Sequence, residues 1–137
     1  MHDPNGRSNA GISTTTVTSS SSKIKAYGGT YNELKATGLF DTMTSTQAGL
    51  SRTYSNFEKY YYHNGNQKTG ELITSVNIAI KDRDVTQDAY KSVCTHELGH
   101  SLGWAGHTPG STNIMYHTAS SITSLTYVDK RHLIQVY

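Results

Sequence analysis

Cysteine, proline and long apolar runs are scarce in this chain, and each scarcity narrows what the protein can be. Cys94 is the one cysteine among 137 residues, so no intrachain disulfide can form. No stretch of about 18 apolar residues occurs, and no segment therefore reads as a membrane span. Twelve Lys and Arg against ten Asp and Glu leave a formal net charge of +2. With the basic residues scattered, that balance argues against a nucleic-acid binder. Apolar residues reach only 34%, but ten tyrosines partly compensate, because Tyr offers a large apolar body with a polar tip. The length suits one domain with one modest core. No Glu follows Glu97, and the only later Asp is Asp129. The opening Met1-His2-Asp3-Pro4 has no apolar h-region, so any secretion signal is expected to be already missing.

Residues 1–22 are rich in Ser, Thr, Gly and Asn and are expected to be a flexible or weakly ordered segment, with one domain over 23–137. Lys23 to Tyr27 alternates and runs into Gly28-Gly29, the pattern of a short strand ending in a turn. Thr30 to Leu50 is irregular. Thr53–Tyr62 and Glu71–Ile80 read as a hairpin with a long loop around His63-Asn64-Gly65-Asn66, with Val76, Ile78 and Ile80 on one face. The cluster Tyr60–Tyr62 is expected to pack on a half-exposed strand. Gln87–Leu102 reads as a helix stopped by Gly103. A last helix from Thr126 to Tyr137 is expected to start at a Thr126–Asp129 capping box, with Val128, Leu133 and Val136 as its apolar stripe. Two helices and three to five strands are expected in all. Cys94, on the first of these helices, is expected to be a buried small apolar side chain.

The chemistry is concentrated in one run, His96-Glu97-Leu98-Gly99-His100-Ser101-Leu102-Gly103-Trp104-Ala105-Gly106-His107. Histidines four apart on a helix lie one turn above each other, so His96 and His100 can point at one metal ion. Glu97 projects beside them and can reach a metal-bound water without ligating the metal. Gly103 permits a sharp turn that would return His107 as a third ligand. Three protein ligands and an open fourth position suit a catalytic zinc, whereas four would close a structural site. The plain alternative is a surface helix with ordinary histidines. A His-Glu-x-x-His match arises by chance in a chain of this length at roughly the half-per-cent level. Gly103 and the further histidine lower that by a factor of roughly 500.

This run resembles the metzincin signature, in which a His-Glu-x-x-His-x-x-Gly helix precedes a third histidine and a later methionine turn. Asn113-Ile114-Met115-Tyr116 resembles that turn, and the Leu102-Gly103 ending with Ile114-Met115-Tyr116 is most similar to small bacterial matrixin-like peptidases. The resemblance covers roughly Lys23 to Tyr137 and is specific after Asp88. It implies an α+β fold, with a small twisted β-sheet, an active-site helix beneath it and a short C-terminal subdomain ending in a helix. It implies zinc held by His96, His100 and His107, Glu97 as the base that activates a zinc-bound water, and Met115 as an apolar floor. Tyr116 and His117 would line a substrate pocket. The activity implied is that of a secreted, monomeric zinc metalloendopeptidase acting on proteins or peptides, with no nucleic acid or membrane as partner.

Three departures accompany the resemblance. The family's third histidine would fall at Gly106, one residue before His107. His117-Thr118-Ala119 stands where the matrixins carry a Pro-x-Tyr wall. The family's fold begins with a strand and a long helix before the strand at Lys23, and residues 1–22 are not expected to supply that helix. Other zinc-peptidase branches fit less well, because no Glu is available downstream and Asp129 is accounted for by capping. Two other functions stay open: a non-catalytic zinc-binding domain that recognises a partner, and a zinc amidase acting on a non-protein amide. Structural calcium is undecided, since Asp82, Asp84 and Asp88 alternate with Lys81 and Arg83.

Overall fold

Val76, Ile78 and Ile80 alternate with Ser75, Asn77 and Ala79, and the longest strand of the protein forms on that pattern. The computed structural model describes residues 21–63, 65–83, 85–118 and 120–136. Side chains at 56–63, 68–72 and 134–136 are also outside the description. The expectations for residues 1–20, the Tyr60–Tyr62 cluster, Asn64, Asp84, Ala119 and Val136 therefore lie outside the described residues.

Six elements follow one another: β1 (Ile24–Gly29), α1 (Tyr31–Ala36), β2 (Gly49–His63), β3 (Asn66–Lys81), α2 (Gln87–Ser101) and α3 (Tyr127–Val136). The result is a mixed α+β arrangement around a three-stranded sheet of order β1-β3-β2. β1 pairs parallel to β3, with Ile24 opposite Val76 and Gly28 opposite Ile80. β2 pairs antiparallel to β3, with Gly49 opposite Ile80, Ser51 opposite Ile78 and Thr53 opposite Val76.

Because side chains alternate along a strand, the sheet buries two separate clusters. On one face Val76, Ile78 and Ile80 pack with Val93 of α2, flanked by Ala48 and Tyr90. On the other, Ala79 meets Leu34 of α1 with Phe40 and Met43 from the segment after it. Fully burying a side chain of this size contributes roughly 1.5–3 kcal/mol. The alternation at 76–80 thus gives the sheet α2 on one side and α1 with the segment after it on the other.

Four expectations change. The hairpin has no long loop, because both strands extend until only residues 64–65 separate them. Register shifts around Ser55 absorb the added length. The stretch from Thr30 to Leu50 is not wholly irregular, and α1 makes three helices among the described residues rather than two. Its start is a capping box, with Thr30 N–H donating to Glu33 Oε2 at 2.8 Å and Glu33 N–H to Thr30 Oγ1 at 3.3 Å. Val128 is 48% exposed and does not join an apolar stripe, although Leu133 is buried. Cys94 is exposed rather than buried, because it borders a surface hollow with Val85, Tyr90 and Thr95 and does not enter the cluster that Val93 joins. No helix among the described residues is long and apolar enough to cross a membrane.

Candidate metal centre

Thr86 caps α2 by accepting a hydrogen bond from Ala89 N–H at 3.3 Å, and Asp88 adds favourable charge in the first turn. The helix then carries His96 and His100 one turn apart, at the wall of a cleft of about 860 Å³. His96 Nδ1–H donates to the Ile114 carbonyl at 2.8 Å, and His100 Nδ1–H donates to the Trp104 carbonyl at 2.7 Å. Carbonyl oxygens only accept, so both neutral rings carry their proton on Nδ1 and turn a lone pair on Nε2 towards the other. The two Nε2 atoms stand 3.1 Å apart. Bare lone pairs at that distance repel unless a cation shares them. Burial pushes His96 below the ordinary imidazole range, with a smaller push from His100 and His107, and the Ile114 bond opposes both.

The helix ends in a Schellman motif. Gly103 takes φ 96°, its N–H donates to His100 O at 3.0 Å, and Trp104 N–H donates to Gly99 O at 3.2 Å. Gly106 is the second left-handed residue, with φ 88°. A left-handed turn at Gly106 redirects the loop and brings His107 back beside His96 and His100. Its ring stacks on His96 with centroids 5.1 Å apart, and the ligand atoms of His96, His100 and His107 lie within 4.8 Å of one another. Nitrogens on one tetrahedral zinc at about 2.0–2.1 Å would sit about 3.3 Å apart. The helix pair already stands near that spacing. Burial also lowers the His107 pKa, with His100 and His117 adding to the effect. These three residues are positioned to bind a metal ion. Among the described residues no second group of this kind is gathered, and Asp84 of the acidic loop lies outside them.

Glu97 is 6% exposed, and its Oε2 is buried without a hydrogen-bond partner among the described residues. Burial raises its pKa, while Ser51 and His100 pull the other way. An unpartnered buried carboxylate oxygen beside three imidazoles fits a site completed by a cation and a water.

Beneath the cluster Met115 is 1% exposed, and its sulfur packs on Gly99, where an added Cβ would come within 2.3 Å of Sδ. Thr108 N–H donates to Met115 O at 2.9 Å, tying the methionine turn to the loop just after His107. Asp129 of α3, 1% exposed, accepts from Thr126 N–H at 2.8 Å and Ile114 N–H at 3.3 Å. The capping residue therefore also supports the turn. His132 of α3 packs its ring on Trp104, centroids 3.8 Å apart.

Tyr116 and His117 line the cleft together with Ser51, Thr53 and Val93. Sequence reasoning did not single out Gly49, Ser51, Gly99, Trp104 or His132. Gly99 carried a local signal, a glycine inside a helix between two histidines. The others carried none, since their roles depend on a strand and a helix meeting across the fold. No family model, curated protein or solved structure matches this chain.

Proposed function

We propose that the protein is a zinc-dependent metalloendopeptidase of the metzincin kind. The observation that carries this reading is the unpartnered buried Oε2 of Glu97 beside the three imidazoles. A module that only bound metal would have no use for a desolvated carboxylate with one oxygen left unbonded. Neutral imidazoles and an open fourth position suit zinc among the common divalent ions. The small sheet, the helix packed against it and the methionine beside the site agree with the fold that the resemblance implies.

His96, His100 and His107 would hold the zinc. When bound, it would supply Lewis acidity towards the scissile carbonyl and acidify a water. Glu97 takes the proton of the attacking water and passes it to the leaving amine. Among the described strands β2 is an edge of the sheet, and its Gly49, Leu50, Ser51 and Thr53 lie along the cleft. An extended peptide fits there by main-chain hydrogen bonding, with Tyr116 and His117 facing it from the other wall.

A casein zymogram with and without chelator tests the reading. Clearing that disappears on chelation is expected. Glu97→Ala should retain about one zinc per chain by metal analysis while losing hydrolysis by about 100-fold or more. Zinc bound by the wild-type protein without any clearing would sink the peptidase reading.

A further inference from the structure

Gly49 and Ser51 are two apart on β2 and face α2, because their partners on β3 are Ile80 and Ile78, which pack on that helix. Gly49 lies directly against the Glu97 side chain. A Cβ added there would stand 2.7 Å from Glu97 Cγ, 2.8 Å from Oε1 and 3.0 Å from Cδ. Those atoms belong to the carboxylate end of the side chain, and none belongs to the helix backbone. One step along the same face, Ser51 Oγ donates to the Glu97 main-chain carbonyl at 2.7 Å, across 46 positions of sequence. A long carboxylate side chain has several rotamers, and here a strand forms one wall of the space open to it.

We propose that Gly49 and Ser51 form a seat that holds the Glu97 carboxylate against the edge strand and aims its unpartnered oxygen at the metal position. The two are positioning residues acting through Glu97. Gly49 sets how close the carboxylate lies to β2, and Ser51 fixes the height of the helix turn that carries it. The unbonded Oε2 follows from this division. The strand occupies the Oε1 side, and the other oxygen is left for the cleft. A glycine needed only for close helix packing would instead sit against backbone.

This inference rests on the peptidase reading for its catalytic consequence but not for its geometry, and the test separates the two. Zinc-loaded crystals of the wild type, Gly49→Ala, Ser51→Ala and Ser51→Thr would be compared, alongside peptide kinetics and metal analysis. In Gly49→Ala the Glu97 carboxylate is expected to move by about 1 Å or more, with the three imidazoles and zinc content unchanged. Its kcat should fall by about 100-fold or more, with KM within about 3-fold. Ser51→Ala should lose about 10-fold in kcat, and Ser51→Thr should restore most of it. A carboxylate that superposes on the wild type in Gly49→Ala overturns the seat. Zinc lost together with activity also overturns it, making Gly49 a packing residue. Should Gly49→Ala fail to fold, the Ser51 pair decides, and Ser51→Ala with wild-type kcat and an unmoved Glu97 overturns the proposal. A displaced carboxylate in Gly49→Ala, with a wild type that cleaves no peptide, leaves the seat standing and removes the peptidase reading.

Discussion

Gly99 was legible only as one of the two free positions between the histidines of a metal-binding helix. Its neighbour in space, Met115, was legible only as the methionine of a turn. The structure joins them, because the sulfur occupies the space that any side chain at 99 would need. Gly99→Ala should therefore overpack the floor and cost about 1–3 kcal/mol. Urea denaturation of the zinc-loaded variant checks this, and a midpoint equal to wild type would remove Gly99 from the account. His96, Glu97, His100 and His107 were readable because their chemistry lies in one short run of sequence. Gly49 and Ser51 were not readable, since nothing local says that a strand passes against a glutamate 48 and 46 residues further along the chain.

Among the elements, α2 and the alternation of β3 were the clearest in advance, each carrying a long periodic pattern. α1 was missed although Thr30 and Glu33 spell a capping box, because six residues give a periodicity too short to stand out. The length of β2 was underestimated as well, its start lying before the Tyr-rich segment. The capping box of α3 was read correctly, but only the fold shows its second task. Asp129 Oδ2 accepts from the helix start and from Ile114 of the methionine turn at once. Asp129→Ala should accordingly cost more than an ordinary cap, about 2–3 kcal/mol. Thermal unfolding with zinc present checks the figure, and a loss under about 0.5 kcal/mol would mean that the turn is held by other contacts.

At the scale of the whole molecule, acid acts through partly shielded imidazoles. His96, His107 and His132 have folded pKa values below the ordinary 6.5, each chiefly because burial disfavours the charged ring. The unfolded chain therefore takes up protons first as pH falls through 6.5, and stability present above that pH is progressively lost. Glu97 acts in the opposite sense. Its folded pKa lies above 4.5, so protonation from that raised value downwards favours the folded state. With three groups against one, metal-free protein should melt at a lower temperature at pH 5.5 than at pH 7.5. Calorimetry in chelator checks this, and an unchanged midpoint would mean that the rings are solvated in solution.

The turn at Gly103 divides the protein into unequal halves. Upstream, strands and helices are knitted by their own backbone ladders. Between Gly103 and Thr118 the described chain has a single isolated bridge, Thr108 to Tyr116, and it leans on the two ligand rings through the carbonyls of Trp104 and Ile114. An ion shared by His96, His100 and His107 would then act as a rivet, clamping a nearly ladderless segment to a sturdy frame. Stripping it should raise deuterium uptake at residues 103–118 well before the sheet responds. Chelation would thus leave this segment slack while the body of the protein stayed intact.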